Sequence, residues 1–439
     1  MNRTIGIRHE DKYAMERRAA IAPCMVEKLI RKKQLQVLVQ SSPKRIFTDD
    51  EYRKAGANIQ SDLKDCPVIF GLKEIPIESL EAGKTYVFFS HVIKGQPYNM
   101  PMLKRLMDLG CSLIDYERIV DEQNKRLIFF GKYAGIAGMI NTFWALGQRL
   151  RVLGYPDNPF LEIQQAHKYP SLSVAKKQIS SVGRKILERG LPEQIAPITI
   201  GFTGYGNVST GAQEIANLLP SMELEPEELL KLDQFQKLPN NFLYKTVFRE
   251  NHMMRHIAGG PFDLNDYYQH PENYESDFEK FIPRLSVLLN GMYWDARYPR
   301  IVTKDYVKKV FSQGVPKLMV IGDVTCDPNG SVEITHKGTA IDDPVFVYNP
   351  FTEEPTMGFE GEGLSVMAVD ILPSELPRDA SEFFSNSLEN YIEPIAIADY
   401  SKPFEKMCLP APLKRALIVH KGSLTPAYKY LEGHLEKVR

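Results

Sequence analysis

From Thr4 to Phe89, short apolar runs of β-forming residues alternate with stretches in which apolar positions fall three or four apart. Thr4–Ile7, Gln36–Val39, Val68–Gly71 and Tyr86–Phe89 read as strands, and Pro23–Lys33 and Asp49–Ala55 read as helices. Strands separated by helices imply a parallel sheet, because a parallel neighbour is reached only through a crossover. The pattern continues with a helix over Pro101–Leu109 and strands over Cys111–Asp115 and Leu127–Phe130. From Ala134 the periodicity turns helical as far as Leu153, the natural crossing to a second domain, and another helix is predicted over Ser173–Arg189.

A buried strand, Pro197–Thr203, then breaks into glycines and resumes as a helical pattern over Gly211–Leu219. A chain built this way presents backbone N–H groups and a helix N-terminus to a pyrophosphate. The loop runs Gly204, Tyr205, Gly206, Asn207, Val208, Ser209, a dinucleotide-type spacing with serine at the third position, where a small residue lets helix and strand pack closely. Glu223 and Glu225 fall about 20 residues beyond the first glycine, where an acidic side chain bonds the ribose of the cofactor. Beyond a glutamate-rich segment, Met222–Lys237, strands are predicted at Tyr244–Phe248, Leu318–Ile321 and Ser365–Val369, with a His-, Tyr- and Asn-rich loop region before residue 275. Helices over Ala380–Tyr391 and Thr425–Leu435 return the chain to the first domain.

The expected architecture is α/β: two Rossmann-like domains with parallel sheets, one of them dinucleotide-binding, separated by an interdomain cleft. The boundaries are 1–137, completed by 376–439, for a substrate and catalytic domain, and 138–375 for the dinucleotide-binding domain. Neither an internal repeat nor a low-complexity segment is present.

Composition narrows this picture little. A chain of 439 residues exceeds one ordinary core, and 43% hydrophobic with 25% charged residues is a soluble globular balance. A net charge of -1 favours neither nucleic acid nor an anionic membrane surface as partner. Five scattered cysteines, without C-x-x-C pairs or zinc spacing, point to a reducing compartment and no structural metal. With a first strand at Thr4–Ile7 and no apolar run of membrane-spanning length, no leader or anchor is expected, and the cytoplasm is the compartment predicted.

Candidate chemistry gathers at strand ends of the first domain. Lys73 follows one apolar run and His91 the next, at the C-terminal strand ends where open α/β sheets place their sites. Each has a plainer reading, a solvated lysine and a hydrogen-bonded structural histidine. Together in a dry cleft they suit proton transfer, since desolvation and a neighbouring positive charge disfavour the ammonium form. Arg17 and Arg18 precede the helix at Pro23, where an arginine fork beside a helix N-terminus suits a carboxylate; a surface pair with Glu16 or Asp11 is the alternative. Ala134-Gly-Ile-Ala-Gly138 allows close backbone approach, for packing or for a ligand. Glu117 and Arg126 read in isolation as surface charges, and Asp323, after the strand Leu318–Ile321, either caps a turn or faces the nicotinamide. His252, His256 and His270 lack a metal-binding pattern.

These motifs together resemble a known family. Glu16-Arg-Arg-Ala-x-x-Ala-Pro23, Phe88-Phe-Ser-His-Val-Ile-Lys94, Leu113-Ile-Asp-Tyr-Glu117, Ala134 to Asn141, Phe202 to Gln213, Asn290-Gly-Met-Tyr-Trp294 and Leu376 to Ser385 recur in this order. Over nearly its whole length the chain is similar to the lysine-2-oxoglutarate reductase domain of α-aminoadipic semialdehyde synthases, and more distantly to lysine-forming saccharopine dehydrogenases and alanine dehydrogenases. The resemblance implies condensation of L-lysine with 2-oxoglutarate and reduction of the imine to saccharopine by NADPH, with NADH as second choice. It implies Lys73 and His91 as the acid-base pair, Glu117 as a cleft carboxylate near them, and Arg18 and Arg126 as holders of substrate carboxylates. The glycine loop Gly204–Ser209, Glu225 and Asp323 would hold the cofactor, with Arg249 or Lys245 covering a 2′-phosphate. A homo-oligomer and a separate saccharopine-oxidising enzyme are partners compatible with it. The rival readings are an alanine-dehydrogenase-like amino-acid dehydrogenase and a catalytically silent, cofactor-binding regulatory protein.

Overall fold

In the computed structural model, residues 2–234 and 238–436 are described; Phe235, Gln236 and Lys237, the end of the glutamate-rich segment, lie outside the described residues. The chain forms two compact units. One runs to Phe130 and resumes at Pro377, and the other is Gly131–Leu376. The crossing helix therefore belongs to the second unit from its first residue, whereas the pattern of apolar positions divides the chain at 137.

The first unit holds β1 (Thr4–Ile7), β2 (Gln36–Gln40), β3 (Asn58–Gln60), β4 (Val68–Phe70), β5 (Thr85–Phe88) and β6 (Ser112–Asp115), joined late in the chain by β17 (Leu417–His420) and β18 (Ser423–Leu424). They make one sheet of order β18-β17-β6-β5-β4-β1-β2-β3, parallel except for β17 and its hairpin partner. Helices α1 (Pro23–Lys33), α2 (Asp49–Lys54) and α3 (Met100–Asp108) are the crossovers. Pro23 opens α1 at a position whose N–H no helix would use, and Gln34 ends it with a left-handed φ of 52° after three basic residues that suit the negative end of the helix dipole. A capping box between Thr48 and Glu51 starts α2.

The returning helix Pro377–Ile397 docks on this unit by more than apolar contact. Ser381 and Ser385 present their hydroxyls to the backbone N–H groups of Ala19 (3.0 Å) and Ala22 (3.1 Å), fixing the turn that leads into α1. The stretch Leu127–Phe130 does not form the strand its composition predicts; its neighbourhood holds only an isolated bridge between Val120 and Arg126. Burial wins over ladder pairing there: Ile128 is buried, and Phe130 stacks flat on Phe384 of the returning helix, centroids 4.4 Å apart.

The second unit centres on β7 (Thr199–Thr203). Its sheet adds β8 (Ser221–Glu223), β9 (Leu243–Phe248), β12 (Val287–Asn290), β13 (Val320–Asp323), β14 (Val345–Tyr348), β15 (Pro355–Met357) and β16 (Leu364–Met367), in the order β15-β14-β16-β13-β12-β7-β9-β8. All neighbours are parallel except those of β14. A small hairpin, β10 (Met254–His256) with β11 (Tyr274–Ser276), sits in the stretch read from sequence as loop. Three helices carry the unit: α4 (Gly131–Val152), α5 (Leu172–Arg189) and α6 (Asn207–Ala216). The small residues of α4 serve packing, because α4 and α6 cross at their glycines. A Cβ on Gly135 would stand 1.8 Å from the Val208 carbonyl oxygen, and one on Gly211 would stand 2.0 Å from that of Lys132. Helix α6 begins at Asn207, four residues before the expected Gly211, since Gly206 serves as its N-cap and the turn itself is helical.

Candidate active site

In the first unit, sheet order sets β6, β5, β4 and β1 side by side, so residues distant in sequence share one edge. Just past β1, the buried carboxylate of Glu10 accepts the backbone N–H groups of Leu72 (2.7 Å) and Lys73 (2.9 Å). Burial, with the nearby charge of Glu16, pushes the Glu10 carboxyl up to about 7 despite these bonds. Beside Lys73, Glu74 Oε1 accepts from His91 Nδ1 and from Lys12 Nζ, both at 2.8 Å. Burial works against its charged form, but the His91 and Lys12 contacts outweigh it and hold the carboxyl down to about 2. An ionised Glu74 can only accept, so Nδ1 carries a proton and Nε2 is the ring nitrogen outside that bond.

Lys73 and Arg18 meet through Glu16. The buried Arg18 guanidinium grips Glu16 with Nε (2.8 Å) and Nη2 (2.6 Å) and lies 4.4 Å over the Phe130 ring. Burial opposes ionisation of Glu16, yet the charge and hydrogen bonds of Arg18, together with the charge of Lys73, lower its pKa. Glu117 pairs with Arg126, whose side chain is 53% exposed. The backbone N–H of Glu117 and that of Ser90, the residue before His91, both bond to Asp115. The structure thus brings Lys73, His91, Arg18 and Glu117 to one edge of the sheet and leaves Arg126 at its solvent margin.

In the second unit, Gly204 takes φ +82°, a conformation open to glycine, and its N–H bonds the Phe248 carbonyl at 3.0 Å. Tyr205, Gly206 and Asn207 are exposed, no side chain caps α6, and a Cβ on Gly206 would meet nothing within 4 Å. The first N–H groups of α6 are thereby free to receive an anion with no side chain in the way, which fits a pyrophosphate. Ser209 is fully buried and accepts from Gln213 Nε2 (3.0 Å), doing the packing work of the usual third glycine.

The other cofactor candidates fall differently. Asp323 is buried at the end of β13 and accepts from Asn290 Nδ2 (2.8 Å), Thr325 Oγ1 (2.7 Å) and Thr335 Oγ1 (2.6 Å); Asn290 in turn accepts from Thr203 Oγ1 (2.7 Å). This network knits three strand ends together. Burial raises the pKa of Asp323 in spite of those bonds. Glu225 follows the edge strand β8 and N-caps the helix Pro226–Leu230, while Glu223 pairs with Lys245 (2.9 Å). On one side β7 pairs with β9, and the residue after β9 is Arg249, whose guanidinium lies 5.0 Å over the ring of Tyr205.

Three residues with a place at these sites carry no conspicuous signal in sequence. Glu74 adjoins Lys73, and that adjacency is the one hint available. Glu10 and Asp115 look like charges at strand ends until the sheet order joins them to their partners. Arg249, which the resemblance names together with Lys245 as a cover for a 2′-phosphate, is not reached by counting from the first glycine, because residues 221–242 lengthen the connection between α6 and the strand that neighbours β7.

Residues 6–137 match the N-terminal domain, and residues 273–427 the C-terminal domain, described as alanine dehydrogenase/PNT. The α-aminoadipic semialdehyde synthase of Arabidopsis thaliana is 39% identical, over 98% of this chain and 41% of its own length. The mitochondrial synthase of Mus musculus is 36% identical, over 98% of this chain and 47% of its own. The chain thus spans less than half the length of these relatives. A Neurospora crassa saccharopine dehydrogenase (NAD(+), L-lysine-forming) is 28% identical over 88% of the chain and 89% of its own length. Among solved structures, an L-alanine dehydrogenase superposes with a TM-score of 0.60 at 19% identity, covering 98% of this chain and 99% of its own. A transhydrogenase from Sinorhizobium meliloti gives 0.57 at 15%, covering 96% and 100%.

Proposed function

The chain belongs to the alanine dehydrogenase/PNT family of oxidoreductases, and within it we propose an NADPH-dependent lysine-2-oxoglutarate reductase. The reaction joins the ε-amine of L-lysine to the keto carbon of 2-oxoglutarate, expels water, and reduces the resulting imine to saccharopine. One observation carries this reading: the Lys73, Glu74 and His91 cluster stands in a chain that aligns over 98% of its length with α-aminoadipic semialdehyde synthases at 36 and 39% identity.

The amine must lose a proton to attack, and the carbinolamine oxygen must gain one to leave as water. Lys73 exchanges the proton at nitrogen. His91, its Nδ1 proton committed to Glu74, moves the proton at oxygen through Nε2. Of the two arginines, Arg126 is the readier to hold a substrate carboxylate. Its side chain is 53% exposed and open to a ligand beside the half-buried Glu117, whereas the buried fork of Arg18 is filled by Glu16. In the second unit, the N–H groups of Asn207 to Ser209 would hold the pyrophosphate and Arg249 the 2′-phosphate; the bound cofactor supplies the hydride. Arg249, next to the loop's anchor at Phe248, is the support for NADPH over the NAD(+) named in the fungal relative.

The compartment we propose is the cytoplasm, although the mammalian relatives carry mitochondrial names. Among the described residues no helix is long and apolar enough to cross a membrane. The experiment is nicotinamide oxidation followed optically with L-lysine and 2-oxoglutarate together, each alone, and with NADPH and NADH in parallel. Turnover that needs both substrates is the expected result. Activity with ammonia and a 2-oxo acid, but none with lysine, would overturn it in favour of an amino-acid dehydrogenase.

A further inference from the structure

Three fully buried residues of the first unit, Ser90, Asp115 and Tyr116, have no part in the chemistry proposed above. Asp115 is the last residue of β6 and Tyr116 follows it. Asp115 Oδ2 accepts from the Ser90 N–H (3.0 Å) and from the Ser90 hydroxyl, while Oδ1 accepts from the Glu117 N–H (2.8 Å). The Tyr116 hydroxyl donates to the carbonyl of Gly71 at 3.1 Å. Every one of these bonds ends at or beside the site. Ser90 precedes His91, Gly71 lies two residues before Lys73, and Glu117 is itself a carboxylate of the site.

These are tethers the sheet does not provide. The β5–β6 ladder ends at the pair Phe88 and Asp115, and backbone bonding between β4 and β5 stops at the Phe89 N–H on the Leu72 carbonyl (3.0 Å), so Lys73 and His91 themselves lie just past regular pairing. His91 needs holding, because its φ of +51° is a left-handed conformation that an L side chain adopts only when its surroundings impose it. Before it, Ser90 makes two bonds to Asp115; after its own α-carbon, the His91 carbonyl accepts from Asn99 Nδ2 (3.1 Å). The choice of acid at 115 also fits. Three donors converge on it, and a carboxylate is acceptor-only with room for all three, whereas an amide would turn two N–H groups toward them. Burial raises its carboxyl to about 6, a cost with no return unless the tethering is needed.

We propose that Asp115 and Tyr116 are positioning residues that fix the strand ends bearing His91 and Lys73 relative to each other, with Ser90 as the link to His91. The inference rests on the reading of Lys73 and His91 as the proton-transfer pair. Asp115 and Tyr116 touch no reacting atom and act through the backbone of others.

The test uses the full chain with Asp115→Asn, Ser90→Ala and Tyr116→Phe, each checked for folding by circular dichroism. With ¹⁵N-histidine label, and His91→Gln to assign the signal, the side-chain nitrogens report the imidazole tautomer without any substrate present. Wild type is expected to show His91 as the single Nδ1–H form. Asp115→Asn and Ser90→Ala are expected to mix the tautomers while NADPH affinity stays unchanged. Turnover should fall about 100-fold in Asp115→Asn and about 10-fold in Ser90→Ala and Tyr116→Phe, with kcat losing more than KM, as for a displacement of the order of 1 Å. A folded Asp115→Asn with the wild-type His91 signal and unaltered kcat overturns the proposal. Should that variant not fold, the same unchanged pair of readouts in Ser90→Ala overturns it. The tautomer is read without turnover, so absence of lysine-dependent activity in the wild type would sink the proposed function and still leave the tethering decided.

Discussion

Replacing Arg249 by alanine tests the cofactor preference at the point where the structure is most specific. β9 lies directly beside β7, the glycine loop is anchored on Phe248, and Arg249 is the next residue, its guanidinium 5.0 Å over the Tyr205 ring. A cation stacked there has lost much of its conformational freedom before an anion arrives, and an arginine at this strand end can accommodate the 2′-phosphate of NADP. Two unit charges about 4 Å apart interact by about 1 kcal/mol in water and about 4 kcal/mol at the effective dielectric of a protein surface. Arg249 is exposed, so the smaller figure governs the Coulomb part, and charge-assisted hydrogen bonds to the phosphate bring the sum to about 2 kcal/mol. That is about 30-fold in affinity. Steady-state kcat/KM for NADPH should therefore fall about 30-fold in Arg249→Ala while the value for NADH changes less than about 3-fold. In the wild type the NADPH advantage should shrink as salt rises and screens the contact; in the variant it should be insensitive. An NADPH-to-NADH ratio unchanged by the substitution refutes the assignment. Equal losses with both nucleotides would mean that Arg249 serves the shape of the Tyr205 loop rather than the phosphate.

Lys73→Met and His91→Gln should each lower kcat by about 100-fold or more, the usual worth of a positioned acid or base, with NADPH affinity by fluorescence titration held at the wild-type value. Two glycines of the second unit should behave oppositely to alanine. Gly135→Ala drives a methyl to 1.8 Å from the Val208 carbonyl and should cost at least the 1–3 kcal/mol or so of an overpacked core in urea unfolding; Gly206→Ala meets nothing within 4 Å and should leave stability alone while weakening NADPH. Thermal stability of the first unit should peak in mild acid. Glu10, raised from 4.5 to about 7, contributes stability below pH 4.5 that is lost as pH rises through 7, on the order of 3 kcal/mol for its shift alone. Glu74, lowered to about 2, contributes stability above pH 4.5 that is lost as pH falls toward 2. Melting temperatures across this range should rise and then fall, and Glu10→Gln should flatten the alkaline limb; a wild-type curve that climbs steadily to pH 8 would contradict the Glu10 assignment, and one that is flat between pH 2 and 4.5 the Glu74 assignment.

Apolar periodicity made the α/β class legible because parallel strands buried on both faces are nearly continuous apolar runs. Val68-Ile-Phe and Thr199-Ile-Gly-Phe-Thr are buried throughout, as such strands must be. The strand that failed, Leu127–Phe130, failed for the same reason others succeeded. Its unbroken run of four apolar residues announces burial, and the partner on which Phe130 stacks is an aromatic ring of a helix, Phe384, more than two hundred residues away in the chain. Short elements such as Val287–Asn290 and the β10–β11 hairpin left too little pattern to separate from loop.

Sites are legible to the extent that their residues stand in a local frame. Lys73 and His91 could be placed because a strand end is a local feature, and Gly204–Ser209 because strand, turn and helix are contiguous. Glu10 and Asp115 could not, because the same carboxylate at a strand end is a solvated charge or a buried tether depending on which strand lies beside it. That neighbour is fixed by sheet order: β6-β5-β4-β1 sets residues 10, 73, 91 and 117 along one edge although they span much of the unit's first segment. Arg249, which the resemblance names beside Lys245, shows what strand pairing adds in the other sheet. An offset of about 20 residues from the first glycine picks out Glu225, and that offset holds only where the strand after α6 is the one that pairs with β7. Here that strand is β8, which pairs with β9 alone, so the acid sits one strand out and the cation at the end of β9 takes the place beside the loop. On the proposed reading, the residue that discriminates between the two cofactors is thus chosen by strand pairing, and a change of pairing between relatives would alter the preference without altering any residue of the glycine loop.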